Sequence, residues 1–187
     1  AGVDTVYMGT GVDIIDAGAA NDIIVAGASD LLANDVVDGG DGTDQLQFAA
    51  TGYTDESVFG GLTSVESIKG SAGNGINQAL PFNSNTSFSI IDASGAGDTL
   101  LTLSVGYTQD TTVKLGSTDL VNADEIVNGT AVTGANVNLT VTATDQGSFD
   151  TATIITGGTG TDTITLTNVT DTNVGADDHM VLTNATS

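Results

Sequence analysis

Gly39-Gly40-Asp41-Gly42-Thr43-Asp44-Gln45-Leu46-Gln47 is the stretch whose reading decides the fold. Glycine reaches φ > 0 without steric penalty, so its first four residues can turn tightly and bring their carbonyls together. The triplet Gln45-Leu46-Gln47 alternates, which is the pattern of a three-residue strand with one side chain pointing inward. The same grammar returns without a flaw at Gly157-Gly158-Thr159-Gly160-Thr161-Asp162-Thr163-Ile164-Thr165. Chance supplies about 0.05 copies of Gly-Gly-x-Gly-x-Asp in a chain of this composition, so the two observed are a signal.

Weaker copies precede the first perfect one. Asp4, Asp13 and Asp22 stand nine residues apart, and each is followed two residues later by an apolar residue: Val6, Ile15 and Ile24. The step from Asp22 to Asp35 takes thirteen residues, which places an excursion from one turn around residues 29–34. Asp44 follows nine later, so residues 1–48 hold five units. Looser units recur at 68–76, 91–100 and 155–164, too far apart to predict an uninterrupted roll. The expectation is an all-β chain: a right-handed parallel β-roll or β-solenoid over 1–48, with Val6, Ile15, Ile24, Val37 and Leu46 inside. It continues over 49–187 into an irregular solenoid or a β-sandwich-like, β-rich region.

The later segments are rich in Thr, Val, Ile and Leu. Strands are expected at 99–105, 111–115, 137–144, 151–156 and 163–169. Pro81, the single proline, and the polar stretch 74–87 predict a linker or long loop and a domain boundary. Short helices are conceivable at 55–62 and 117–126.

Composition narrows the function. Two lysines and no arginine stand against 24 acidic residues, and the net charge of −22 argues against nucleic acid or an anionic membrane as partner. It favours cations. Asp outnumbers Glu by 21 to 3; a solvated helical surface would favour Glu, whereas short carboxylates suit turns. A share of this charge, such as Asp55, Asp110 and Asp119, serves solubility. Cysteine is absent, which removes disulfides, zinc thiolates and a Cys nucleophile. No apolar run approaches the ~18 residues of a membrane-spanning helix. No secretion signal is visible, and the first residues fall inside a repeat, as expected of a piece of something longer.

No catalytic constellation emerges. His179, the one histidine, sits in Asp177-Asp178-His179-Met180 without a nucleophile to serve. Glu66 and Glu125 have no acid/base context. The glycine loops lack the lysine of a phosphate loop and lead into strands. Sequons at Asn85, Asn128, Asn138, Asn168 and Asn184 are close to the number expected by chance.

The Asp of each unit offers a hard carboxylate oxygen, the donor Ca²⁺ prefers. Residues 1–48 and the copy at 157–165 resemble the nonapeptide repeat of RTX proteins. That resemblance implies two nonapeptides per turn and Ca²⁺ held between turns by Asp carboxylates and loop carbonyls. Asp4, Asp22 and Asp44 would line one side, Asp13 and Asp35 the other. The implied site residues are Asp4, Gly9, Gly11, Asp13, Gly18, Asn21, Asp22, Asp35, Gly40, Gly42 and Asp44, with Gly158, Gly160 and Asp162 in the isolated copy. Ala17 and Ala20 depart from the glycine pattern, and the thirteen-residue step puts the Asp35 site in doubt. The competing reading is a metal-free solenoid whose Gly, Asp and Asn turns are only turns.

The segment Leu62-Thr63-Ser64-Val65-Glu66-Ser67-Ile68-Lys69-Gly70 is similar to spacers of repetitive surface-layer proteins and giant adhesins. The resulting expectation is a non-enzymatic, calcium-dependent structural protein of the extracellular cell surface, assembling with itself or with other surface components. An accessory or secretion domain of a secreted enzyme or toxin is the alternative. An ice-binding adhesin segment ranks third: Thr140-Val141-Thr142-Ala143-Thr144 and residues 163–167 carry Thr at every second position, but such runs are not regularly spaced along the chain, and strand propensity explains them.

Overall fold

In the computed structural model the described residues are 2–49, 56–70, 77–80, 88–93, 100–103, 110–115, 126–128, 139–144, 153–156, 162–167 and 180–183. They form sixteen short strands. In chain order these are β1 Thr5–Tyr7, β2 Ile14–Asp16, β3 Ile23–Ala26, β4 Val36–Asp38, β5 Gln45–Phe48, β6 Leu62–Thr63, β7 Ser67–Lys69 and β8 Asn77–Leu80. There follow β9 Ile90–Ala93, β10 Leu100–Leu103, β11 Thr111–Leu115, β12 Ile126–Asn128, β13 Leu139–Thr144, β14 Thr153–Thr156, β15 Thr163–Thr167 and β16 Met180–Thr183.

The odd-numbered strands pair in order, β1 to β15, as one eight-stranded parallel sheet. The even-numbered strands form a three-stranded sheet, β2-β4-β6, and a five-stranded sheet, β8-β10-β12-β14-β16. The chain visits the two sides alternately and advances one strand spacing per coil, which is a parallel β-solenoid. Short strands suffice because the ladder hydrogen bonds run between consecutive coils, so each paired strand is held by its neighbours in the stack.

The register places the apolar residue of each coil on the one before. Val6, Ile24, Leu46, Ile68, Ile91, Val113, Val141 and Ile164 make one continuous column. Ile24, Leu46, Ile68, Ile91 and Val113 have no exposed surface, and burying a side chain of this size stabilises by about 1.5–3 kcal/mol. Ile15, Val37 and Leu62 make the facing column. Val37 and Leu46 are buried as expected, whereas Val6 and Ile15 are only half-buried. They lie in the first coil, so only one side of each is covered by a neighbouring coil.

Between the sheets Phe48, Phe59 and Phe88 meet edge to face, with ring centroids 6.3 and 6.5 Å apart. Phe59 arrives on a one-turn 3-10 helix, Glu56–Phe59, which is what forms where a helix over 55–62 was expected. Leu62–Thr63 is already strand, while residues 117–125 lie outside the described residues.

Two further expectations need correction. The units beyond residue 48 do continue the same stack, because the eight-stranded sheet runs from β1 to β15, although the opposite wall is divided between β6 and β8. Steps along its column are 18, 22, 22, 23, 22, 28 and 23 residues. Turns of unequal length absorb the differences, so chain spacing is a poor guide to stacking. Only the first coil has the length of two nonapeptides. The stretch 74–87, expected as linker or long loop, contains β8, which pairs with β10. Of the expected later strands, 111–115 is met in full; residues 100–103, 139–144, 153–156 and 163–167 are strand as well, and the remaining residues of those stretches lie outside the described residues.

Candidate metal centre

The solenoid has two columns of turns. One joins even strands to the following odd strands, at residues 17–22, 39–44 and 64–66. The other joins odd to even, at 8–13 and 27–35. Asp4, Asp22 and Asp44 stand in register beside the first column and Asp13 and Asp35 in the second, the arrangement that the resemblance implied.

In the first column the loops of Gly18 and Gly40 are stacked copies of one another. The Asp41 N–H donates to the Gly18 carbonyl and the Ala20 N–H to the Asp41 carbonyl, both at 2.8 Å. The Thr43 N–H donates to Asn21 Oδ1 at 3.0 Å. Gly18 and Gly40 share a positive φ, +99° and +92°. A Cβ on Gly40 would fall onto the Gly18 carbonyl oxygen, so both backbone conformation and close approach demand glycine here. Ala20 carries φ 107°, a conformation costing an L-residue about 1–2 kcal/mol. That is the local penalty for its departure from the repeat.

The carboxylates form a ladder one coil apart. Asp22 Oδ1 accepts the Asp4 N–H at 2.7 Å, and Asp44 Oδ1 accepts the Asp22 N–H at 2.7 Å. Glu66 Oε2 accepts the Asp44 N–H at 2.8 Å. Asp22 and Asp44 are 1% and 0% exposed. Their second oxygens, Asp22 Oδ2 and Asp44 Oδ2, are buried without a hydrogen-bond partner. Glu66 is the residue that sequence reasoning missed. The signal was present, since 66 continues the 22-residue step from 22 to 44, but it lies outside any glycine loop. Asp162 falls at the same register position four coils beyond Glu66 and is also buried. Gly158 and Gly160 lie outside the described residues.

The second column is arranged differently. Asp35 is 2% exposed, but both its oxygens are used: Oδ1 accepts the Asp13 N–H at 2.9 Å and Oδ2 the Leu32 N–H at 2.6 Å. Leu32 belongs to the thirteen-residue excursion, which also tucks Leu31 into the core. The inserted residues thus supply the donor that satisfies this carboxylate. Asp13 is half-buried, and its Oδ2 accepts the Gly9 N–H at 3.1 Å. Gly9 and Gly11 border open space, and the Asp4 side chain is exposed.

Electrostatics sharpen the contrast. Neighbouring strands are about 4.8 Å apart, and two like charges at that spacing repel by about 3.5 kcal/mol at an effective dielectric of 20. Residues 1–68 contain no Lys, Arg or His. Lys69 and Lys114 flank Asp92 in register on the eight-stranded sheet instead. A stack of buried carboxylates with unpaired oxygens can accept a hard cation. Among the described residues no three His, Cys, Asp or Glu side chains converge on one point, so such a cation would need backbone oxygens as well. His179 lies outside the described residues, as do sequon residues Asn85, Asn138, Asn168 and Asn184. No helix among the described residues is long and apolar enough to cross a membrane.

The fold and this site define a parallel β-solenoid with an internal acidic ladder. Protein-family models, curated proteins and solved structures yield no match to the chain.

Proposed function

We propose that the chain is a non-enzymatic, calcium-dependent structural protein of the cell exterior: a subunit or segment of a surface layer, an extracellular filament or a large adhesin. One observation carries this reading. Asp22 and Asp44 are buried with one unpaired carboxylate oxygen each, in a segment without a single positive side chain. A buried ion that lacks a partner is costly by several kcal/mol, and Ca²⁺ is the hard, oxygen-seeking cation that would supply one. Asp22, Asp44, Glu66 and carbonyls of the stacked Gly18 and Gly40 loops are the groups that would hold it. Asp13, Asp35 and Asp162 would contribute less.

Calcium bound there would neutralise the ladder and couple folding to a calcium-rich exterior, because a ligand that binds only the folded state stabilises it. The solenoid itself supports a structural role, since its coils meet only their neighbours and its walls are extended and repetitive. The partners would be copies of the same chain or other surface components.

Calorimetric titration with Ca²⁺, followed by electron microscopy of the protein with and without Ca²⁺, tests both halves. Binding together with calcium-dependent sheets or filaments is the expected result. Absence of binding at millimolar Ca²⁺ removes the calcium reading. Binding with monodisperse particles points instead to an accessory or secretion domain of a secreted enzyme or toxin.

A further inference from the structure

The turn before β4 reads Ala26-Gly27-Ala28-Ser29-Asp30-Leu31-Leu32-Ala33-Asn34-Asp35. Without residues 29–32 it would spell Ala-Gly-Ala-Ala-Asn-Asp, letter for letter the turn Ala17-Gly18-Ala19-Ala20-Asn21-Asp22. The thirteen-residue step is therefore a nine-residue unit carrying a four-residue insertion. The two copies end differently. Asp22 closes the uninterrupted copy and is buried with Oδ2 unpaired. Asp35 closes the interrupted copy and is buried as deeply, but both its oxygens are occupied.

The insertion accounts for the difference. Asp30 turns the chain: its Oδ2 accepts the Gly27 N–H at 2.8 Å, and its N–H donates to the Gly27 carbonyl at 3.3 Å. Leu31 then drops into the core, 2% exposed, and anchors the inserted strap. Leu32 closes a ring with Asp35. Its N–H donates to Asp35 Oδ2 at 2.6 Å, and its carbonyl accepts the Asp35 N–H at 3.1 Å. A hydrogen bond to a carboxylate is about twice as strong as one between neutral groups. The amide occupies the position from which a cation would meet Oδ2, and an N–H donor cannot serve an ion that takes about six to eight oxygen ligands.

We infer that residues 29–32 are a built-in stand-in for a cation: they complete the Asp35 carboxylate from within the chain and close a latent Ca²⁺ site there. The latent site rests on the calcium reading proposed above, whereas the stand-in rests on hydrogen bonds and burial. The turn at Asp35 thus forms at any calcium concentration, beside an Asp22–Asp44 ladder that lacks such a donor.

The test deletes residues 29–32 from the full chain. Deletion variant and wild type are compared by calorimetric titration with Ca²⁺ and by thermal melts in EGTA and in Ca²⁺. The variant is expected to melt lower than wild type in EGTA, to gain more from Ca²⁺, and to bind about one additional ion per chain. Asp35→Asn in the deletion background is expected to abolish that additional ion. If the deletion prevents folding in both buffers, Leu32→Pro keeps the chain length and removes only the N–H. Its melting temperature is expected to fall below that of wild type in EGTA and to approach it in Ca²⁺. No additional ion in a folded deletion variant overturns the inference, as does an additional ion that survives Asp35→Asn or a Leu32→Pro chain that Ca²⁺ does not restore. A wild type that binds no Ca²⁺, beside a deletion variant that does, would remove the proposed ladder site and leave this inference standing. Binding to wild type with no more in the folded variant would do the reverse.

Discussion

Asp44→Asn separates a cation site from a mere turn, because the two readings predict different responses to calcium. Asparagine keeps an Oδ1 acceptor for the Asp22 N–H, which Asp44 Oδ1 now accepts at 2.7 Å. It replaces the unpaired Oδ2 with an amide nitrogen and removes one charge from between Asp22 and Glu66. Weakening a charged hydrogen bond to a neutral one costs about 1 kcal/mol. Relief of a buried, uncompensated charge returns more, about 1–4 kcal/mol. In EGTA the variant should therefore be more stable than wild type by up to about 3 kcal/mol. In calcium the order should reverse. A ligand at a hundred times its Kd stabilises the folded state by about 2.7 kcal/mol, which for a chain of this size is about 5–11 °C in Tm per site. The wild type gains that increment and the variant loses it. Thermal melts of both proteins in EGTA and in Ca²⁺, read by circular dichroism, measure all four values. Equal calcium-induced shifts in the two proteins would refute a cation at this carboxylate. A variant less stable than wild type in EGTA would refute the claim that the orphaned oxygen is a burden.

Three more expectations follow from the same geometry. Gly40→Ala should destabilise by at least about 2 kcal/mol, combining left-handed backbone strain with the blocked approach to Gly18. Gly9→Ala, bordering open space, should stay within about 0.5 kcal/mol, and equal losses in urea titrations would contradict the stacked-loop account. Ala20→Gly should gain about 0.5–1 kcal/mol, the relief of strain at φ 107° less the added freedom of the unfolded chain; a loss of stability would show that the Ala20 side chain matters more than its backbone. Hydrogen exchange in EGTA should expose residues 2–48 before β11 and β13, because the early coils carry the acidic ladder. Equal protection of residues 2–48 with and without calcium would mean that the repeats are only turns.

Much of the fold was legible because the repeat is local. A glycine loop, an Asp and an inward apolar residue fall within nine residues, so phasing placed Ile24, Val37 and Leu46 in the core, and the resemblance, with its two nonapeptides per turn, put Asp22 and Asp44 on one side and Asp35 on the other. The reading failed where chain spacing ceased to mirror space. The units at 68–76 and 91–100 seemed isolated, yet Ile68 and Ile91 stack directly on one another. Glu66 seemed to lack context, yet it is the next rung above Asp44.

By itself the sequence determined the all-β class, the parallel coil and the acidic character, since glycine freedom, period-two alternation and charge are properties of neighbouring residues. Only the tertiary structure decided which carboxylates are satisfied. Asp35 and Asp44 read alike in the chain, each closing a turn before an apolar strand, but an inserted Leu32 N–H completes one and nothing among the described residues completes the other. It also decided that Val113, Val141 and Ile164, 28 and 23 residues apart along the chain, share one register column. Both outcomes depend on which coil lies above which, and that is set by the sum of turn lengths, a non-local quantity that no short window of sequence contains.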